Sequence, residues 1–146
     1  MLNIKYQYAE NKTKFPLVCE EGNSGIDLRS QWVYTVRPHQ TVLVDTGLKV
    51  EIPKGYEIQI RPRSGMALKN SIIVVNTPGT IDASYRGVIG VILHNLSENP
   101  FVIYTGDRIA QLVVAKVETP YVTFIESDSL SETERGEGGF GSTGKK

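Results

Sequence analysis

Hydrophobic and polar residues alternate along most of the chain, and many of the apolar positions carry β-branched or aromatic side chains. The alternation is clearest at Leu2/Ile4/Tyr6/Tyr8, Val42/Val44, Leu48/Val50/Ile52 and Tyr56/Ile58/Ile60. Period-two alternation predicts β-strands, because successive side chains of a strand point to opposite faces. Turn signals rich in Gly, Pro, Asn and Asp separate these segments at 21–25, 37–38, 53–55, 78–79, 98–100 and 105–107. Many short strands at regular spacing predict an all-β sandwich, barrel or jelly roll.

Two features interrupt the alternating pattern. Residues 64–70 follow helical rather than strand spacing and predict at most one short helix. The runs 88–93 and 109–115 are apolar on both faces. A strand buried on both sides in so small a protein indicates that a second subunit covers one face.

The C-terminal end differs in composition from the rest of the chain. From Ser127 the sequence becomes polar and then glycine-rich, as Arg135-Gly-Glu-Gly-Gly-Phe140-Gly-Ser142-Thr143-Gly144. Glycine loses the most backbone freedom on ordering, so this segment is predicted to be flexible until a ligand orders it. We therefore expect a β-domain over 1–126 and a flexible arm over 127–146. A guanidinium, an aromatic ring and two hydroxyls suit a phosphorylated ligand with a flat ring, whereas a solvated terminus is the alternative.

Composition restricts the partners. Sixteen basic and sixteen acidic residues give no net charge, so the broad positive field of proteins that bind nucleic acid or membranes is missing. Cys19 is the only cysteine, and the two histidines show no metal-ligand spacing, so we expect no disulfide and no direct protein metal site. The N-terminus alternates and no stretch reaches membrane-spanning length, which predicts a cytoplasmic protein, or a nuclear one in a eukaryote.

Three further segments combine charge with glycine. Residues 61–69 place two arginines before a helix start, which suits phosphate; the alternative is a helix capped by Ser64 with solvated arginines. Residues 76–87 predict a hairpin with Asp82 near its tip, or simply a turn. Residues 106–112 predict a turn leading into a buried strand, where the alternative is an Asp107–Arg108 pair with Gln111 hydrogen-bonded internally.

Together with residues 22–30 and the glycine-rich end, these segments resemble, in order and spacing, the five motifs of the trimeric dUTP diphosphatases (dUTPases). The resemblance runs from Gly22 to Gly144. It implies a distorted jelly-roll fold, a homotrimer, and active sites built from three subunits, the third of which lends its C-terminal arm. The implied reaction converts dUTP and water into dUMP and pyrophosphate with Mg²⁺ on the triphosphate. That reaction limits uracil in DNA and supplies dUMP for thymidylate synthesis.

The resemblance also implies roles for individual residues. Asp82 matches the catalytic aspartate that activates water, and Asp27 matches a supporting aspartate that lies either near the metal's water shell or in structural support of Asp82. The residues implied in uracil and deoxyribose binding are Asn76, Gly79, Ile81, Tyr85, Gly90 and Phe140. Those implied in phosphate binding are Arg63, Ser64, Gly65, Gln111, Arg135, Ser142 and Thr143. Ser84 stands where the family often has a second acid, so changed tuning without loss of activity is expected. Ser24 stands where the family usually has alanine.

Two alternatives stay open within the same fold. A dCTP deaminase would need a glutamate base at the ring and generally lacks this glycine-rich end. A dUTP-binding regulatory protein would bind the nucleotide and a protein partner without turnover. The sequence does not identify such a partner.

Overall fold

The computed structural model describes residues 1–140, which form eleven short β-strands and one α-helix. The strands are β1 (Lys5–Tyr8), β2 (Ile26–Arg29), β3 (Tyr34–Val36), β4 (Thr41–Asp45), β5 (Leu48–Glu51), β6 (Tyr56–Arg61), β7 (Ile72–Val74), β8 (Gly79–Ile81), β9 (Gly90–Asn95), β10 (Phe101–Ile103) and β11 (Arg108–Lys116). The helix α1 spans Ser64–Asn70, and one turn of 3₁₀-helix covers Thr119–Tyr121. The predicted all-β class with a single short α-helix is confirmed.

The strands pair antiparallel in four sheets. The largest has the order β2-β11-β6-β8, the next has β4-β9-β7, and the pairs β1-β5 and β10-β3 complete the set. These sheets do not close into a barrel among the described strands. The sheets enclose one core of aliphatic side chains, which includes Leu28, Val44, Ile58, Ile89, Leu93 and Ile109. The positions predicted to face inward in β4, β5 and β6 supply part of this core.

Burial of the two apolar runs differs. In β11 the chain itself buries consecutive residues, since Leu112 and Val113 are 3% and 8% exposed. In β9 burial alternates, so Val91 and Leu93 are buried while Ile92 lies half-buried on the outer face. The neighbouring Leu43 on that face is 65% exposed. The outer face of β9 is therefore where the expected covering subunit would lie.

Two local predictions were wrong. Residues 76–87 do not form a hairpin: β8 pairs with β6, no strand covers residues 82–89, and the Tyr85 backbone N–H donates to the Asp82 carbonyl oxygen in a tight turn, which was the alternative. Ser64 does not cap α1: Arg63 is the N-cap residue, no side chain caps the helix, and Ser64 is its first residue.

No helix among residues 1–140 combines the length and the apolar character that crossing a membrane requires. Beyond Tyr121 the described chain contains no further helix or strand, and residues 122–137 are all exposed.

Candidate functional site

Three segments that are far apart in sequence meet at one end of the largest sheet. β11 lies between β2 and β6, and the register places Gln111 opposite both Asp27 and Arg61. α1 begins three residues after Arg61, so Arg63 and Ser64 leave the sheet beside Gln111. The antiparallel ladder thus brings together the predicted residues Asp27, Arg63, Ser64 and Gln111.

Asp27 organises the charge of this cluster. Its Oδ1 lies 3.1 Å from Arg63 Nε and its Oδ2 lies 3.2 Å from Arg108 NH1. Arg63 also donates from NH1 to the carbonyl oxygen of Arg108 at 3.2 Å. One half-buried carboxylate therefore holds two guanidinium groups side by side, which leaves one net positive charge and several free N–H donors for an anion.

Gln111 is fixed by its own contacts. Its Nε2 donates to the carbonyl oxygen of Pro62 at 3.0 Å, and its side chain packs directly against Gly25. The predicted internal hydrogen bond of Gln111 is therefore present. The alternative Asp107–Arg108 pair is wrong, because Asp107 accepts from the Tyr104 backbone at 2.8 Å while Arg108 pairs with Asp27.

Sequence reasoning missed two residues of this cluster. Gly25 was treated only as part of a motif, yet a β-carbon there would collide with the Gln111 carboxamide. Arg108 was considered only as a partner of Asp107, although it is the second cation on Asp27. A glycine two residues before an acid at a strand start was the available signal for the first; nothing local in the sequence points from Arg108 to Asp27.

Asp82 lies elsewhere on the molecule. It is exposed directly after β8, and its carbonyl oxygen accepts from the Tyr85 backbone at 3.0 Å in a tight turn. Asp82, Ser84 and Arg86 line a cavity of ≈ 590 Å³ together with residues 117, 120 and 121. A different cavity, of ≈ 330 Å³, is lined by Asp27 together with Gly25 and Arg108.

The strand register shows how far Asp82 lies from Gln111 and the Asp27 cluster. Ile81 lies opposite Ile58 and Gln111 opposite Arg61, on the two sides of β6. That difference is three residues, about 10 Å along the strand, and two strand spacings are about 10 Å across it. Asp82 is one residue further from Gln111 than Ile81 is, so a single chain does not bring the two side chains together.

The remaining predicted ring-binding residues lie around β8 and β9. Gly79 and Ile81 belong to β8, and Asn76 packs against Gly79. Tyr85 donates from its hydroxyl to the carbonyl oxygen of Val88 at 3.0 Å, and its ring lies against Gly87. Gly90 begins β9, where the side chain of Leu43 covers it.

The described part of the arm makes only local contacts. Arg135 donates from Nε to the carbonyl oxygen of Gly138 at 2.9 Å, and Phe140 is fully exposed. Ser142 and Thr143 lie outside the described residues. Within residues 1–140, no three His, Cys, Asp or Glu side chains are grouped as metal ligands.

Comparisons with known proteins connect these features. A deoxyuridine 5'-triphosphate nucleotidohydrolase of Roseobacter denitrificans is 51% identical over 99% of this chain and 97% of its own length. One from Picosynechococcus is 54% identical over 88% of this chain and 89% of its own length. A Staphylococcus bacteriophage 80alpha dUTPase, solved with dUPNHPP, superposes with a TM-score of 0.83 at 28% identity, covering 97% of this chain and 98% of the other.

A second solved structure is that of a mutant dUTPase from phage phi11 of S. aureus, which contains a structural Mg(II) ion. It is 22% identical and superposes with a TM-score of 0.73, covering 90% of this chain and 99% of the other. At that identity the likeness supports the fold alone. The family model named dUTPase matches residues 11–144, which include all five motifs. The chain therefore belongs to the dUTPase family.

Proposed function

We propose that this protein hydrolyses dUTP to dUMP and pyrophosphate. The observation that carries the proposal is the convergence of Gly25, Asp27, Arg63 and Gln111, from three separate family motifs, into one cationic cluster on adjacent strands. A phosphoanhydride needs such donors facing oxygens on which negative charge grows during cleavage. The 51% identity to a deoxyuridine triphosphate nucleotidohydrolase supports the same reaction.

The phosphate end of the substrate lies at this cluster. Arg63 is held in place by Asp27 and by the carbonyl of Arg108, so its remaining N–H groups are oriented before substrate arrives. Ser64 and Gly65 are exposed at the start of α1, beside Arg63. Gln111 adds a neutral amide next to them. Preorganised donors need no rearrangement at the moment of reaction, which is the main source of electrostatic catalysis.

Asp82 and its neighbours act on the nucleoside and on the phosphate attached to it, where cleavage to dUMP and pyrophosphate takes place. Asp82 takes a proton from the attacking water and accepts a hydrogen bond from the sugar 3′-hydroxyl. Tyr85 packs on the deoxyribose and leaves no room for a 2′-hydroxyl. Asn76 with the backbone at Gly79, Ile81 and Gly90 reads the uracil edge. Groups that pair with uracil are left unpaired by cytosine, which gives discrimination of about 10⁴ or more.

The two halves come from different subunits of a homotrimer. Asp82 and Gln111 of one chain lie on opposite sides of β6, and Asp82 lines a cavity separate from that of Asp27, so one chain alone does not form the whole site. A neighbouring chain that places its Asp82 near this chain's Asp27 cluster completes the site. The arm of a third chain closes it, with Phe140 over uracil and with Arg135, Ser142 and Thr143 at the terminal phosphate.

The triphosphate of the substrate would carry the Mg²⁺ ion. Both oxygens of Asp27 already contact arginines, so this carboxylate fits a role next to the metal's bound water better than direct coordination. Mg²⁺ prefers oxygen ligands and keeps several waters, and when bound it withdraws charge from the phosphate oxygens. The chain's own residues then orient the nucleotide, exclude water and accept the proton at Asp82.

The deciding experiment measures pyrophosphate release from dUTP, dCTP, dTTP and UTP, with and without Mg²⁺. We expect turnover of dUTP that exceeds the other three by orders of magnitude. Ammonia release from dCTP would instead identify a deaminase. Binding of dUTP without pyrophosphate release would identify a regulatory protein.

A further inference from the structure

Three cations line an open groove beside the β1-β5 pair, which we call the basic groove. Lys5, Lys49 and Arg86 surround a cavity of ≈ 450 Å³, whose wall also contains Tyr6, Gln7 and Glu51. Glu51 is the single acid, and it pairs with Lys5 at 3.1 Å. The groove therefore has an excess of two positive charges.

The fold fixes these cations on one surface. Lys5 faces Glu51 and Gln7 faces Lys49 across the antiparallel pair, and residues two apart on a strand share a face. Arg86 donates from NH1 to the carbonyl oxygens of Ala83 and Tyr85 at 2.7 and 2.8 Å, which orients its guanidinium. Within residues 1–140, neither Lys49 nor Arg86 forms a salt bridge.

The chain contains a segment of opposite charge. Residues 126–134 contain Glu126, Asp128, Glu132 and Glu134 and no basic residue. Every one of these residues is exposed. The hydrogen bond that Ser127 makes with the carbonyl oxygen of Ser129 stays within the segment. The segment thus leaves its own basic groove uncovered.

We propose that the basic groove receives the acidic segment 126–134 of a second copy of this chain, and so guides that copy's arm. The inference rests on the proposed exchange of arms between subunits. Arg86 lines both the basic groove and the cavity that contains Asp82, so the groove leads directly to that cavity. The four negative charges of the acidic segment are attracted to the two excess positive charges of the basic groove.

Cross-linking in the full-length protein tests the contact without relying on turnover. Gln7 lines the groove and Ser129 lies in the acidic segment, so Gln7→Cys with Ser129→Cys leaves every charge intact. The exposed Cys19 is replaced by serine in all variants. The matched control replaces Gln40, an exposed glutamine in the turn between β3 and β4, in place of Gln7.

A short bismaleimide is expected to join the Gln7→Cys/Ser129→Cys chains into products of two and three chain masses. The yield should exceed that of the Gln40→Cys control severalfold and should fall when salt is raised to about 0.5 M, because salt screens exposed charges. A product of one chain mass with altered mobility would show that the arm occupies its own groove, which overturns the proposal. A yield equal to the control would overturn it as well.

Charge exchange gives the second readout. Lys49→Glu is expected to lower the cross-linking yield and to lower kcat/KM for dUTP about threefold to tenfold. The effect should be this small because exposed charge pairs each contribute little binding energy. Adding Asp128→Lys should restore both to within about twofold. An unchanged yield in Lys49→Glu, with normal arm-dependent hydrolysis of dUTP, would reject the groove and leave the proposed function standing. A folded protein that does not hydrolyse dUTP would reject the function, while the cross-linking still reports on the groove.

Discussion

Gly25 and Gln111 pack against each other so closely that the Gln111 carboxamide occupies the position that a β-carbon on residue 25 would need. Gly25→Ala is therefore expected to displace the end of the Gln111 side chain and break its hydrogen bond to Pro62. The end of the Gln111 side chain is flexible, so the fold should survive. KM for dUTP should rise about tenfold, which corresponds to the loss of about one hydrogen bond.

A double-mutant cycle isolates this effect. On a Gln111→Ala background, Gly25→Ala should add little to the loss, because the group that it displaces is already absent. Steady-state kinetics and a thermal melt of all four proteins provide the measurement. Fully additive losses would show that residue 25 acts independently of Gln111.

Asp82→Asn is expected to keep nucleotide affinity and to lower kcat by at least about 10²-fold, because the amide cannot accept the proton from water. Calorimetric titration with a nonhydrolysable dUTP analogue, beside turnover measurements, separates the two quantities. Glu98→Gln removes an exposed carboxylate at the far turn before β10 and is the matched control. Turnover near that of the parent protein would remove Asp82 from its proposed role.

Mixing two inactive variants tests whether sites combine different chains. One variant carries Asp82→Asn with a complete arm, and the other ends at Glu134 with Asp82 intact. Co-assembled trimers should recover about a quarter of parental activity, since each site draws its aspartate and its arm from different chains at random. If both came from the same chain, the mixture would stay inactive. The truncated protein alone should melt normally, because residues 122–137 are exposed.

Phe140→Ala is expected to lower kcat/KM about tenfold through lost stacking on uracil, with no change in melting temperature. The side chain is fully exposed in the free chain, so the core does not depend on it. Phe140→Tyr should restore the rate, because it keeps the aromatic face. A kcat/KM that Phe140→Ala leaves unchanged, or that Phe140→Tyr does not restore, would exclude a stacking role.

The ionisation of the Asp45 carboxyl group makes the folding stability depend on pH. Burial opposes its ionisation, but hydrogen bonds from Lys12 at 2.6 Å and from the Gly47 backbone outweigh it and hold the pKa below the ordinary value of 3.8. A lowered native pKa contributes stability above the unfolded pKa, and the contribution disappears as pH falls through the native pKa.

Asp45→Asn should therefore cost about 1 kcal/mol of unfolding free energy at pH 7, with the difference shrinking once the pH falls below the ordinary value. Urea titrations at pH 7, 5 and 3 measure it. Glu51→Gln breaks the exposed pair with Lys5 and is the control, for which little change is expected at any pH. A difference that is constant across this range would mean that the charge of Asp45 is not responsible.

The sequence by itself determined the all-β class, the strands with the clearest alternation, the presence of one short helix, and the family. Alternation at Val42/Val44 and Tyr56/Ile58/Ile60 was sufficient for β4 and β6, since a strand that buries one face must repeat every second residue. One short helix within residues 64–70 was likewise predicted, although it begins at Ser64 and not after it. Such patterns are local, and the sequence displays them directly.

Only the tertiary structure decided which strands are neighbours. The crossing of residues 75–78 between sheets depends on β9 and β6 being available as partners for β7 and β8, and the pairing of β8 with β6 rules out the predicted hairpin around Asp82. The same pairing joins Asp27 to Arg108 across 81 residues and separates Asp82 from Gln111. Strand order and register arise from the packing of the whole core, so no window of sequence contains the geometry of the site.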